Sequence, residues 1–411
     1  MTLTSLTDIF RSLGRASRVL PLLLPLAFCL AGCASEEPVG AHPDDGSHAE
    51  GARTYLSLRV SVNNPKGETG TRADGYDFEL PTEACELIGT LRVIVVSGTT
   101  GNVEVNRLYE FGSNGCEQFT TERFPVAAND RKRIYLYANV DEESVTFPEG
   151  ASGFAGYPVG TPYPAAMEEI RLSAPGSICI DNSGERKRFI PMSESFLFET
   201  GEPLESGDAY TGEFFLTRAL SKFTFQIDPE SDLESDLRIS EITIHDMTDG
   251  GWLLPHATTY SPEKYTPSAE KYEGRAITAF ETPADVRRND VSITLPEDAL
   301  VWRGSDRPAT APSYSPGLYF TESAAPEKGF RISVKARDLK SMGADGEPLE
   351  IDLGTGVLDN LPSLPRNTHA VVRMRLTGHT VKMQVDLVPY KSVVLEPGFG
   401  LDIDIKKSRQ Q

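Results

Sequence analysis

Among the residues able to do chemistry, Cys33 stands in the most specific setting. Arg11, Arg15 and Arg18 precede an apolar run from Val19 to Leu30, and Ala31 and Gly32 then lead into the cysteine. A charged segment, an apolar run and small residues in that order read as an export signal, with a nucleophilic thiol at its end. The run carries Pro21 and Pro25 and falls well short of the roughly 20 residues that a membrane-spanning helix needs. Residues 1–32 are therefore expected to be removed rather than retained.

Catalytic patterns are otherwise missing. No Gly-x-Ser-x-Gly, His-Glu-x-x-His, P-loop or Gly-x-Gly-x-x-Gly occurs. His42, His48, His245, His256, His369 and His379 lack zinc-like spacing and read as structural or solvent-facing. Ser261 and Lys264, like Ser268 and Lys271, fit Ser-x-x-Lys, but they sit in a polar, Pro-bearing stretch where chance explains them. Asp246 with Asp249, and Asp402 with Asp404, carry no EF-hand ligand order and read as solvated faces. Tyr109, Tyr135, Tyr137, Tyr157 and Tyr163 suit a sugar-stacking platform or, more simply, ordinary strand positions. No catalytic residue, metal or cofactor is expected, and the chain reads as non-enzymatic.

Composition narrows the class further. With 40 Lys+Arg against 60 Asp+Glu the formal charge is −20, a surface that repels nucleic-acid backbones. The 411 residues suit two or three domains. Thirty-five Gly and 29 Pro spread along the chain favour short strands joined by turns.

The elements are strands of period two. Leu56, Leu58, Val60 and Val62 alternate with Tyr55, Ser57, Arg59 and Ser61, so a first strand over 55–62 carries four apolar side chains on one face. Ile134, Leu136, Ala138 and Val140 repeat the pattern, as do Phe223, Phe225 and Ile227, and then Val372, Met374 and Leu376. Leu91 to Val96 is almost continuously apolar, as a strand covered on both faces would be. Asp249-Gly250-Gly251 reads as a turn, and a short helix is placed near Pro81 to Leu87. An all-β chain of two antiparallel β-sandwiches follows, over 55–217 and 218–411.

Leu30-Ala31-Gly32-Cys33 resembles the lipobox of bacterial lipoproteins, which implies that the Cys33 thiol is acylated and becomes the first mature residue. Residues 33–54 are read as a lipidated, flexible tether. Cys85, Cys116 and Cys179 are left, an odd number at spacings that match no metal pattern; buried thiols and a Cys85–Cys116 bridge both stay open.

The mature chain resembles the fimbrillin superfamily, the type V pilins of anaerobic Gram-negative bacteria. The likeness rests on Asn63-Asn64-Pro65 and Thr71-Arg72-Ala73 after the first strand, and on the strand Ile134 to Val140 with its Ala138-Asn139. It extends through Ile190-Pro191-Met192-Ser193, the segment Leu216 to Lys222, Tyr319 to Ser323, and Pro365-Arg366-Asn367-Thr368-His369. The resemblance implies two transthyretin-like domains in tandem and a subunit exported to the outer membrane as a lipoprotein. It also implies a cut by an Arg-specific protease after the first strand, carried by position onto Arg72. The lost strand is then replaced by a strand of another subunit, giving a fimbrium that supports adhesion.

The C-terminus supplies a candidate donor. Phe399, Leu401, Ile403 and Ile405 alternate with Gly400, Asp402 and Asp404, matching the four apolar residues of the first strand. Residues 399–405 pair either with another subunit or within their own domain. The expected function is a shaft or tip subunit of a surface fimbria, whose partners are other fimbrial subunits, the protease and the outer membrane. The alternatives are an anchor subunit that keeps its lipid, or a monomeric glycan-binding surface lipoprotein.

Overall fold

The computed structural model describes residues 52–62, 84–173, 189–205, 207–256, 282–304, 312–358, 361, 363–364, 366–377 and 380–389. The first half contains β1 (Arg53–Ser61), β2 (Thr90–Ser97), β3 (Val103–Glu110), β4 (Gln118–Thr120), β5 (Phe124–Ala127) and β6 (Asp130–Ala138). It continues with β7 (Val145–Thr146), β8 (Arg171–Ser173), β9 (Met192–Thr200), β10 (Tyr210–Phe215) and β11 (Thr217–Arg218). One sheet runs β10-β1-β4, with β5 also on β1, and the second runs β11-β9-β6-β2-β3. Their inward residues, including Leu58, Val60, Val93, Val95, Ile134, Leu136 and Phe214, share one core. The rings of Phe196 and Phe214, on β9 and β10, meet across it at 5.0 Å.

The apolar run of β2 lies between β3 and β6 and is buried on both faces, as its composition requires. Its second cover is a layer of loop and 3-10 turns over residues 141–170. There Phe154 packs on Tyr137 at 4.7 Å, and Tyr163 on Tyr157 at 5.3 Å. The only helical turn near residues 81–87 among the described residues is a 3-10 turn at Ala84–Glu86.

The second half holds β12 (Leu220–Ile227), β13 (Leu237–Thr248), β14 (Gly250–Trp252), β15 (Arg288–Thr294), β16 (Val301–Trp302) and β17 (Ser313–Thr321). After these come β18 (Ser323–Ala324), β19 (Arg331–Met342), β20 (Pro348–Val357), β21 (Ser363–Leu364), β22 (Thr368–Thr377) and β23 (Thr380–Pro389). Its sheets run β17-β12-β22-β23 and β15-β13-β19-β20 around a second core that includes Phe223, Phe225, Ile242, Val334 and Val372.

The two halves repeat one topology. β12 takes the place of β1, flanked by a late strand on one side and a middle strand on the other; β13 and β19 take the places of β2 and β6. Pairing is not wholly antiparallel, which corrects the expectation of purely antiparallel sandwiches. The ladders β1–β10 and β12–β22 run parallel, because in each half the first strand is laid beside one reached only after the rest of that half. The remaining ladders are antiparallel.

The glycines expected to turn at 249–251 instead form β14, which pairs with β8 of the first half. A Cβ on Gly250 would lie 2.8 Å from the Leu172 carbonyl oxygen, and one on Gly251 3.0 Å from Thr321, so glycine serves close approach here. Leu253, Leu254 and Tyr319 join the first core although they lie beyond residue 217.

Candidate functional site

β1 occupies the middle of its sheet. Leu56 to Ser61 pair in parallel with Tyr210 to Phe215, while on the other side Arg53 to Leu56 face β5 and Arg59 to Ser61 face β4. Between those two partners Thr121 continues the ladder. Its N–H donates to the Leu58 carbonyl at 2.9 Å, its hydroxyl accepts the Leu58 N–H at 3.0 Å, and its carbonyl accepts the Ser57 hydroxyl at 3.0 Å. No pattern along the chain singles Thr121 out. Its role emerges only when the break between β4 and β5 is seen opposite Leu58.

The four residues read from the alternation are brought together. Leu56, Leu58 and Val60 are fully buried and Val62 nearly so. Each such side chain contributes about 1.5–3 kcal/mol, so the strand is held by roughly 6–12 kcal/mol of apolar burial before ordering costs. The outward face is different. Tyr55 is 46% exposed, and Arg59 makes an exposed ion pair with Glu213 at 3.8 Å. Withdrawing β1 would leave a slot between β10 on one side and β4 and β5 on the other, floored by the first core. Both walls would then present unpaired backbone groups to any strand with a matching apolar alternation.

Cys33, Arg72 and the candidate donor residues Phe399, Leu401, Ile403 and Ile405 lie outside the described residues, as do Cys179 and residues 33–51 of the tether; Arg53 and Thr54, read as the end of that tether, instead open β1 and pair with Ala127 and Val126. Cys85 and Cys116 are not joined in a disulfide; Cys85 Sγ lies 3.5 Å from the Tyr319 hydroxyl. Tyr135, Tyr137, Tyr157 and Tyr163 are buried, and so offer no open stacking platform. Burial pushes the Tyr135, Tyr137 and Tyr163 hydroxyls well above the usual tyrosine range. Among the described residues no group of three His, Cys, Asp or Glu side chains is placed to hold a metal, and no helix is long and apolar enough to cross a membrane.

One hydrogen-bond chain in the second half has the residue types of a catalytic triad. Asp290 meets His245 Nδ1 at 2.9 Å, and His245 Nε2 meets the Ser333 hydroxyl at 2.7 Å. That hydroxyl also lies 2.6 Å from Thr355, so the chain runs across β15, β13, β19 and β20 as a polar ladder. Ser333 sits on an interior strand whose backbone pairs on both sides, which engages the amides an oxyanion would need.

Those segments of the resemblance that lie among the described residues, with Asn139, residues 190–193, 216–222, 319–323 and 366–369, gather at the junction between the two cores. Glu86 is buried, accepts the Tyr319 hydroxyl at 2.7 Å and lies 3.4 Å from Lys222 and 3.6 Å from Arg218. Arg218 donates to Asn367 at 3.3 Å. The Arg366 guanidinium pairs with Glu322 at 2.6 Å and donates to the carbonyls of Trp252 and Leu253, both at 2.8 Å. Asn139, at φ 58°, accepts from the Gly89 N–H and donates to the Ile190 carbonyl, while the Pro191 carbonyl accepts the Ala219 N–H. Composition marks these charges as surface residues; the structure buries them at the joint.

No family model and no curated protein matches the chain. Solved structures resemble it at low identity. One, described as a "putative cell adhesion protein" from Parabacteroides distasonis ATCC 8503, is 15% identical with a TM-score of 0.48, covering 82% of this chain and 98% of that one. A second so described, from Bacteroides eggerthii DSM 20697, is 12% identical with a TM-score of 0.47, covering 84% and 98%. The tip fimbrial protein Mfa3 from Porphyromonas gingivalis is 10% identical with a TM-score of 0.44, covering 82% and 100%. The structural neighbours are fimbrial and cell-adhesion proteins.

Proposed function

We propose that this chain is a non-enzymatic structural subunit, shaft or tip, of a surface fimbria. It is exported to the outer membrane as a lipoprotein through Cys33, cut after Arg72 by an Arg-specific protease, and polymerised by replacement of β1. The donor is the strand Phe399 to Ile405 of a neighbouring subunit, and the resulting filament supports adhesion. The observation that carries this reading is the seat of β1: an alternating strand that buries Leu56, Leu58 and Val60, with Val62 buried just past its end, central in its sheet and followed in sequence by the segment that holds Arg72. A contact between a slot and a strand end joins unlike surfaces, so it propagates rather than closes as a dimer.

The test is to treat the purified lipoprotein with an Arg-specific protease and follow both the N-terminal residue and the oligomer. The expected product begins at Ala73 and forms a ladder resistant to SDS, and Arg72→Ala abolishes both. A cut product that stays monomeric sinks the polymer reading. Surface protein that keeps acylated Cys33 identifies an anchor subunit or a solitary lipoprotein instead.

A further inference from the structure

Three ionisable side chains meet inside the first sandwich. Lys132 of β6 lies on the inward face with Ile134 and Leu136 and has no exposed surface. Its Nζ is 2.7 Å from Asp130 Oδ2 and 2.6 Å from Glu104 Oε2, and those carboxylate side chains are 5% and 16% exposed. Asp130 and Lys132 share one face of β6, two residues apart. Glu104 arrives from β3, on the far side of β2, because of a β-bulge. Val105 pairs with Val95 and Val103 with Val96, which leaves Glu104 as the extra residue. Its Oε1 accepts the Ala127 N–H of the facing sheet at 2.8 Å, which fixes the carboxyl group in place.

The two carboxylates are held differently. Asp130 accepts a regular hydrogen bond from Lys132, and its other oxygen accepts the N–H and hydroxyl of Thr99 at 3.1 and 2.8 Å. Burial pushes Asp130 up, but the hydrogen bonds from Lys132, Ser97 and Thr99 together outweigh it and leave the carboxyl below its ordinary range. Glu104 Oε2 is buried and touches Nζ, yet the approach lies outside hydrogen-bonding geometry and that oxygen makes no hydrogen bond. The amine is thus bonded to one carboxylate and pressed against the carboxyl group of the other.

We propose that Lys132 Nζ and Glu104 Cδ condense to an intramolecular amide that ties β3 to β6 across β2, with Asp130 carrying a proton. One proton of the Lys132 ammonium ends on Glu104 Oε2, leaving a neutral amine beside a neutral acid 2.6 Å apart. The nitrogen lone pair attacks Cδ and the C–N bond forms. Asp130 takes a second proton from the nitrogen and passes it to the departing hydroxyl, the C–O bond breaks, and water leaves. Ammonium and carboxylate become amide and water, Asp130 ends as it began, and no other reactant is needed. Holding the partners in contact makes the condensation intramolecular, and effective concentrations of well-oriented groups reach roughly 10⁵–10⁸ M, which lowers its barrier. Linking Lys132 to Asp130 instead would close a small ring within one strand and tie nothing together.

Peptide mapping of the full-length, denatured protein by mass spectrometry tests this directly. The expected result is a branched peptide joining the segments that contain Glu104 and Lys132, lighter by one water than their sum, with no tryptic cleavage after Lys132. Asp130→Asn should give both segments as linear peptides at full mass, and Lys132→Met should lose the branch entirely. Full recovery of the two linear peptides from the wild-type protein overturns the proposal, whatever the variants do. A branch that persists undiminished in the Asp130→Asn protein overturns the proton-carrying role.

Discussion

β1 and β12 hold the same place in a repeated topology, yet they are bound to it in different ways. Each is inward-facing through three or more large apolar side chains, parallel to a late strand and antiparallel to a middle one. β12 is also buried on its outward face, where Lys222 and Thr224 enter the joint beside Glu86 and His369. It follows β11 after a single residue, Ala219, whose N–H is tied to Pro191. β1 presents Tyr55 and Arg59 to solvent on that face, and residues 63–83 separate it from the 3-10 turn at Ala84. The outward face of β1 is thus the more open of the two, with Tyr55 and Arg59 in solvent between the buried Ser57 and Ser61, an asymmetry that favours replacing β1 rather than β12 under the proposed function.

If β1 is cut away and replaced as proposed, truncating a core residue of each strand should have different effects before and after the cut. Phe225→Ala should cost about 3–5 kcal/mol, and Leu58→Ala about 2–5 kcal/mol, in the uncut protein, read by urea denaturation. After cutting and assembly the two should part company. Phe225→Ala still weakens the subunit, whereas Leu58→Ala leaves the stability of the polymer unchanged because its strand is gone. A Leu58→Ala polymer as weakened as the Phe225→Ala one would mean that β1 stays in place.

The apolar side of both strands was legible because one buried face forces a period of two, so Leu56, Leu58, Val60 and Val62 announce themselves. Alternation says nothing about neighbours, however, and the parallel pairing of β1 with β10 could not be read from it. Gly250 and Gly251 read as a turn because glycine's two uses, positive φ and close approach, look alike in a sequence. The joint was hidden for another reason. Glu86, Arg218, Lys222 and Arg366 carry charges that composition assigns to the surface, and only partners brought from distant segments allow them to be buried. The segments of the family resemblance marked that place without saying what they did there.

A second, smaller separation lies in that joint. Glu86→Gln removes the carboxylate facing Arg218 and Lys222, and breaking such a buried pair costs about 3–5 kcal/mol. The loss should show in the second half and the link rather than at β1, so hydrogen exchange should quicken in β12 and β17 while β1 and β10 keep their protection. Equal quickening of β1 would deny that the two strands are held independently.

Acidification acts on the same joint. His369, on β22 beside β12, is buried against the Thr224 hydroxyl at 2.7 Å; burial, and then the Lys222 charge, push it down to about 3 from its ordinary 6.5, against a small opposing effect of Glu86. In the unfolded chain the imidazole takes a proton near 6.5, while the folded one resists. Its contribution is therefore fully present above about 6.5 and is lost as the pH falls towards 3, at about 1.4 kcal/mol per unit for this group alone. His369→Gln should flatten that slope in a series of melts, and an unchanged slope would remove His369 from the account.

The smallest effect is expected on the outward face of β1. Arg59 and Glu213 are both well exposed and 3.8 Å apart, so Arg59→Ala should change the stability of the uncut protein by no more than about 1 kcal/mol, and less in high salt. The counterpart, Lys222→Ala on β12, acts on a side chain only 3% exposed and should cost several times more. The ratio of the two is the useful quantity, since both remove one cation from the outward side of equivalent strands. A ratio near one would show that the outer faces are equally bound, and the physical basis for exchanging β1 while keeping β12 would fall with it.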